Sequence, residues 1–301
     1  MRAGRVALVG RPNVGKSTLL NALLGERIAI TSHHPQTTRG SVRGVLTQSD
    51  VQYVFVDTPG LHEPRTQLGR RMNEAARRAM KEADVVVLIV EAPRELGMSP
   101  ADDADAPILA ELPTLPTILA VNKIDRLKDK SVLLPFITSL TESHEFVATV
   151  PISARLADGR ERLLEEIRSV LPKQPLLFEP DTLSDQPVRF FVAEFVREQI
   201  LRHTRQEVPH GVAVVVLRFE EGGRIPLIEV GVYVAREAHR KILIGAKGQM
   251  IKRIGTAARA PIERMLSRKV RLELRVHHDP GWMDDAARLG ELGLGVEPDA
   301  P

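Results

Sequence analysis

The 301-residue sequence contains no cysteine. That excludes a disulfide framework, a cysteine-ligated zinc site and thiol catalysis, and it suits a reducing cytosol. Long apolar runs are missing as well. The longest, Val85 to Val90 and Val212 to Leu217, have six residues and cannot cross a bilayer as helices. Nor does Met1-Arg2-Ala3-Gly4-Arg5 lead into the apolar stretch of a signal peptide. Aromatic residues are scarce at 4%, so a module that stacks bases on strand aromatics is not expected. There is no internal repeat and no low-complexity tract. A cytoplasmic protein is expected.

What is present suffices for a packed core. The chain is 43% apolar and 27% charged, and its length suits about two domains. The net charge of +3 hides a strong asymmetry. From Arg236 to Val276 there are 12 basic residues against 3 acidic, whereas His277 to Pro301 holds 1 against 6. A basic segment of this density points to a polyanion, either nucleic acid or an anionic membrane surface.

The first half alternates apolar strand-like runs (Arg5–Val9, Val42–Leu46, Val51–Val56, Val85–Val90, Thr117–Val121, Phe146–Val150) with helical stretches near 17–24, 68–82, 131–144 and 159–171. This predicts an α/β domain with a mostly parallel sheet and helices on both faces. Pro172, Pro175, Pro180 and Pro187 then crowd sixteen residues, which reads as a semi-rigid connector. Beyond it come a helix over 188–205, two apolar runs (Gly211–Arg218 and Ile225–Ala235) around a glycine turn, two helices split by a glycine loop, and a strand at Val270–Val276. The order α-β-β-α-α-β defines a separate α+β domain. The boundaries are therefore 2–172, a linker at 173–187, a second domain at 188–279 and an acidic tail at 280–301.

Gly10-Arg11-Pro12-Asn13-Val14-Gly15-Lys16-Ser17, followed by Thr18, lies between a strand and a helix. Its backbone N–H groups and the helix N-terminus suit phosphate oxygens; Lys16 would reach the β- and γ-phosphates and Ser17 would coordinate Mg²⁺. Asp57-Thr58-Pro59-Gly60 ends another strand, where Asp57 can hold Mg²⁺, commonly through water, and Gly60 can bring its N–H near a γ-phosphate. Thr37 or Thr38 could complete the Mg²⁺ shell. Asn122-Lys123-Ile124-Asp125 follows a further strand. Asp125 can accept both N1–H and N2–H₂ of guanine, Asn122 would tie the loops together, and the Lys123 stem would cover the base. Ser153-Ala154 could offer an N–H to the guanine O6. Together these select GTP or GDP as ligand.

In the second half, Gly245-Ala246-Lys247-Gly248 sits between two helices inside the basic segment. A GxxG turn in that setting is the KH signature, which clamps the phosphates of about four single-stranded nucleotides. Arg240, Lys247, Lys252 and Arg253 would add phosphate contacts.

The ordered set GRPNVGKS, QTTR, DTPGLH, NKID, ISA and IGAKG resembles the Era family of bacterial ribosome-assembly GTPases, from about Arg5 to Trp282. Related GTPases share the first five motifs but carry a second GTPase domain, a terminal cysteine motif or a membrane channel. The resemblance implies a P-loop GTPase domain followed by a type II KH domain. It implies slow hydrolysis aided by Lys16, Thr38 and Gly60, with Thr38, next to Arg39, as the Mg²⁺-sensing threonine. Leu61 stands where Ras-type enzymes have a water-orienting glutamine. Asn13 matches an asparagine that holds K⁺ in related GTPases. The implied partners are the single-stranded 3′ tail of 16S rRNA and the small ribosomal subunit, with a monomeric chain. A membrane-surface or protein-directed regulatory GTPase, peripheral on the cytoplasmic face, is the alternative. Three places depart from the family: Pro261 inside the helix after the glycine loop, Ala238-His239-Arg240 in place of Ser-Gln-Lys, and the proline-bearing stretch 91–107. His277-His278 would face opposite ways on a strand and make a poor metal site.

Overall fold

The computed structural model describes residues 1–32, 34, 37–93, 105–204, 208 and 211–294. The chain divides into two compact units. One comprises Met1–Ala29, Pro35–Glu63 and Arg71–Asp185; the other comprises Ile30–His34, Pro64–Arg70 and Gln186–Pro301.

The first unit contains β1 (Arg2–Val9), α1 (Lys16–Leu24), β2 (Val42–Gln48), β3 (Val51–Asp57), most of α2 (Gln67–Lys81), β4 (Val85–Glu91), α3 (Ala106–Ala110), β5 (Thr117–Asn122), α4 (Leu133–Ser143), β6 (Ala148–Pro151) and α5 (Arg160–Val170). The sheet order is β2-β3-β1-β4-β5-β6, parallel throughout except for β2, which runs against β3. Strand periodicity splits its side chains between two faces. Ala7, Val9, Val86, Leu88, Val90, Leu119 and Val121 meet Ala76 and Met80 of α2, Ile108 of α3, and Phe136 and Leu140 of α4. On β3, Tyr53 and Phe55 stack at 5.7 Å, and the Tyr53 hydroxyl donates to the Leu164 carbonyl of α5. The sheet is thus covered on both faces, which explains why its strands read as unbroken apolar runs. The chain leaves β1 toward β3 on one side and β4 on the other. That reversal opens a crevice at the carboxyl ends of the strands, where ligands bind in such sheets.

Residues 173–185 of the proline-rich connector pack against β2 and β3. Gln52, fully buried, accepts the N–H groups of Leu177 and Phe178 and donates to the Phe178 carbonyl. Leu183 accepts the Val45 N–H, the Ser184 hydroxyl donates to the Arg43 carbonyl, and Arg43 pairs with Asp185 at 2.7 Å. The prolines prevent this segment from forming a regular ladder, yet β2 is an edge strand with unpaired backbone groups, and the segment satisfies part of them.

In the second unit, α6 (Val188–His203), β7 (Val212–Glu220), β8 (Leu227–Val234), α7 (Glu237–Ile244), α8 (Gln249–Leu266) and β9 (Arg271–His278) follow in the expected α-β-β-α-α-β order. β7 and β8 pair antiparallel, and β9 joins β8 in parallel. One sheet face packs Ile228, Val230, Val232 and Val234 against Val192, Val196 and Ile200 of α6, Leu243 of α7 and Ile254, Ala258 and Ile262 of α8. Pro261 does not break α8, which continues to Leu266. Within the acidic tail, α9 (Ala286–Glu291) follows Trp282, and Trp282 and Leu289 are fully buried. Arg288 pairs with Asp279 at 2.6 Å and lies over the Tyr233 ring, which also stacks on His277. Residues 94–104, 205 and 295–301, which fall within the ranges read from sequence, lie outside the described residues.

Candidate functional site

The phosphate side of the first unit is built on the loop from β1 to α1. Gly15 there has φ +108°, and a Cβ would sit 2.3 Å from Asn122 Nδ2, so only glycine lets the loop close beneath that side chain. Lys16, nearly buried at 6% exposure, donates from Nζ to the carbonyls of Gly10 (2.9 Å) and Arg11 (2.8 Å). Burial draws its ammonium down to about 8, with Asp57 opposing that shift.

Three side chains converge beside it, from the first turn of α1, the loop before β2 and the end of β3. Ser17 Oγ donates to Asp57 Oδ2 at 2.6 Å, Thr38 Oγ1 donates to the same oxygen at 3.1 Å, and the two hydroxyls lie 2.9 Å apart. Of the neighbouring threonines, Thr38 is the one brought to this cluster. Asp57 is fully buried, its Oδ1 has no hydrogen-bond partner among the described residues, and burial raises its carboxyl above the ordinary range. A buried carboxylate oxygen without a donor is costly unless a cation takes it. The donor set of two hydroxyls and one carboxylate suits a hard divalent ion such as Mg²⁺. Thr58, by contrast, turns its hydroxyl to the Leu8 carbonyl and serves to pin the loop to β1. Pro59 separates it from Gly60, where a Cβ would fall 2.5 Å from the Pro12 backbone nitrogen. Leu61 is packed in the apolar core with β1 and β4, so it cannot hold a water molecule over the phosphate.

The base side is formed after β5 and β6. Asn122 donates to the Val14 carbonyl at 2.7 Å and accepts from the N–H groups of Lys123 (2.7 Å) and Ala154 (3.0 Å), joining three loops. Lys123, at φ +69°, pairs with Glu91, as does Arg126. Asp125 accepts from the Ser153 hydroxyl at 2.7 Å, and Arg155 lies 2.8 Å from its other oxygen. Glu91, Arg155 and Asp105 were not singled out from sequence. Asp105, nearly buried, holds Arg11 of the phosphate loop at 2.6 Å across 94 positions of chain, and no local pattern signals that contact.

In the second unit, Gly245 (φ +70°), Lys247 (φ +48°) and Gly248 (φ +76°) turn the chain between α7 and α8. Behind that turn lies a groove of about 230 Å³, lined by Ile251, Lys252, Gly255, Thr256 and Arg259 of α8 and by Leu272 and Leu274 of β9. Ile251, Leu272 and Leu274 supply its apolar lining, and Lys252 and Arg259 bring cations to it. Ala246, Lys247, Lys252, Arg253 and Arg259 are exposed, whereas Arg240 is engaged with Glu237 at 3.0 Å. Arg259 stands seven positions after Lys252, two helical turns along the same face, a spacing that the sequence does display.

Comparison with known proteins bears on both sites. A family model described as a 50S ribosome-binding GTPase matches residues 5–123, and a KH-domain model matches residues 207–282. The GTPase Era of Geobacter metallireducens is 44% identical over 97% of this chain and 97% of its own length. That of Bordetella pertussis is 45% identical over the same shares. The chain belongs to the Era family of GTPases. Among solved structures, an Aquifex aeolicus Era variant bound to GDP and aluminium fluoride superposes with a TM-score of 0.91 at 37% identity, over 98% of this chain and all of that one. An Era in complex with MgGDPNP and nucleotides 1506–1542 of 16S ribosomal RNA gives 0.93, also at 37% identity and over the same shares. Like other Era proteins, the chain is a GTPase that carries a KH domain after its P-loop domain. Among the described residues, no helix is long and apolar enough to cross a membrane.

Proposed function

We propose that this GTPase is a nucleotide-driven switch whose KH domain binds the single-stranded 3′ tail of 16S rRNA and promotes maturation of the small ribosomal subunit. The observation that carries the proposal is the Era complex with MgGDPNP and 16S rRNA nucleotides, related to this chain over nearly its whole length. The groove behind the GAKG turn supports it. Leu272, Leu274 and Gly255 offer an apolar floor for bases, while Lys252 and Arg259 flank it for phosphates. That combination suits single-stranded RNA, which uses both an apolar surface for bases and cations for phosphates, whereas a lipid surface calls on the basic face alone.

The geometry supports the following residue roles. Residues Gly10 to Thr18 wrap the phosphates, Lys16 compensates charge between the β- and γ-phosphates, and Gly60 presents its N–H to the γ-phosphate. Ser17, Thr38 and Asp57 are the residues that hold Mg²⁺, which when bound neutralises charge developing on the transferred phosphoryl group. Asn122 braces the site, Lys123 covers the base and Asp125 accepts guanine N1–H and N2–H₂; the Ala154 N–H, expected at O6, is instead donated to Asn122 and serves to brace the loops. Loss of the γ-phosphate frees Thr38 and Gly60, and that release is the switch. With Leu61 in the core, turnover depends on electrostatics, and Asn13 would help place K⁺ there. Hydrolysis should therefore run several-fold faster in KCl than in NaCl at matched ionic strength; equal rates would remove K⁺ from the scheme. We place the monomer in the cytoplasm, acting on the small subunit.

The deciding test is a fluorescence-anisotropy titration of labelled 3′-tail RNA, and of a scrambled sequence, with a non-hydrolysable GTP analogue and with GDP. Tighter binding of the true tail in the GTP state is expected. Equal binding of both RNAs in both states would reduce the second unit to a nonspecific basic surface.

A further inference from the structure

Asp125 has more partners than its place in NKID requires. Its Oδ1 accepts from Ser153 Oγ at 2.7 Å and its Oδ2 lies 2.8 Å from the Arg155 guanidinium. The cations beside it in sequence turn elsewhere, since Lys123 and Arg126 both pair with Glu91. A carboxylate offers about four lone-pair positions, two on each oxygen. Ser153 anchors one oxygen and Arg155 the other. A guanine edge brings two donors, N1–H and one N2–H, which a carboxylate held in one plane can accept with one oxygen each. The terminal torsion of Asp is broad and shallow. A single bond from Ser153 would leave the second oxygen free to swing; the pair with Arg155 removes that freedom.

We propose that Arg155 is a positioning residue for guanine recognition, fixing the plane of the Asp125 carboxylate so that both oxygens face the base. This rests on the reading that Asp125 receives guanine. Ser153, and after it Arg155, hold the Asp125 carboxyl below the usual range against the effect of burial, which keeps it a pure acceptor. The Arg155 side chain is itself 73% exposed, so its removal leaves no cavity.

The test is calorimetric titration of GDP and of inosine diphosphate, which lacks the 2-amino donor, into the full chain and into Arg155→Ala, Arg155→Lys and Asp125→Asn. Arg155→Ala should weaken GDP about fivefold, the upper range for an exposed ion pair, and inosine diphosphate by less than half as much. Arg155→Lys should recover most of that preference. Equal losses for the two nucleotides, no loss, or tighter GDP would each overturn the assignment, the last by showing that Arg155 competes with the base. If Asp125→Asn collapses the preference and Arg155→Ala does not, only the role of Arg155 is refuted. If Asp125→Asn leaves the preference intact, the base-site reading fails with it.

Discussion

Asp57 concentrates the chemistry of the nucleotide site in two oxygens with unequal surroundings. Oδ2 collects the Ser17 and Thr38 hydroxyls, while the buried Oδ1 has no hydrogen-bond partner among the described residues. Asp57→Asn should fold, because an amide in a buried place is less demanding than an unpaired carboxylate. It should also uncouple nucleotide affinity from the metal. Removing Mg²⁺ with EDTA should weaken GDP strongly in the unaltered protein and little in the variant, as read by titration with a fluorescent GDP analogue. On the base side, Asp125→Asn should weaken GTP by at least tenfold and admit xanthine nucleotides, because the new amide can donate to the oxygen that replaces the guanine amino group. Unchanged GTP affinity would remove Asp125 from the base site.

Elements decide which parts of the site are visible in one dimension. The phosphate loop, DTPG, NKID, Ser153-Ala154 and GAKG each lie on one turn, where spacing alone encodes the geometry, and each could be located from the sequence. The RNA groove could be read only by half. Lys252 and Arg253 follow the glycine turn directly, but Leu272 and Leu274 enter because β9 pairs with β8 and passes under α8. Asp105 reaches Arg11 through the tertiary fold alone. In the stretch 173–185 the prolines forbid a ladder, and the buried Gln52 side chain, together with contacts to Arg43 and Val45, holds it against the sheet, which no local pattern signals. Gln52→Ala would strand two N–H groups and a carbonyl at the sheet edge. A loss of about 2–3 kcal/mol is expected in denaturant unfolding, with GDP affinity unchanged. At the GAKG turn, Gly248 has φ +76° and nothing within 4 Å of a built Cβ. Gly248→Asp therefore meets mild strain and no clash, and its charge should repel the RNA backbone. RNA affinity should fall more than tenfold in the anisotropy assay; a simultaneous loss of GDP binding would mean that the fold itself had failed.

At the scale of the molecule, each unit has an apolar core of its own. Stability should then respond to ligands unit by unit. GDP at about one hundred times its dissociation constant adds about 2.7 kcal/mol to whichever unit binds it. The RNA-binding unit carries the cations, so its affinity should fall steeply with salt. Removing one phosphate-binding cation, for example in Lys252→Ala, should reduce the slope of log affinity against log salt by about 0.7.

Trp282 is the only tryptophan of the chain, and it is fully buried beyond β9, while Tyr53 and Tyr233 divide between the two units. The protein thus contains a built-in optical label for one half. Excitation at the red edge of the absorption band reports the KH unit alone, with blue-shifted emission while Trp282 stays dry. On heating with GDP, circular dichroism should register a later transition from the nucleotide-binding half, whereas the emission shift should keep its midpoint. A common upward shift in both signals would show that the two halves melt as one.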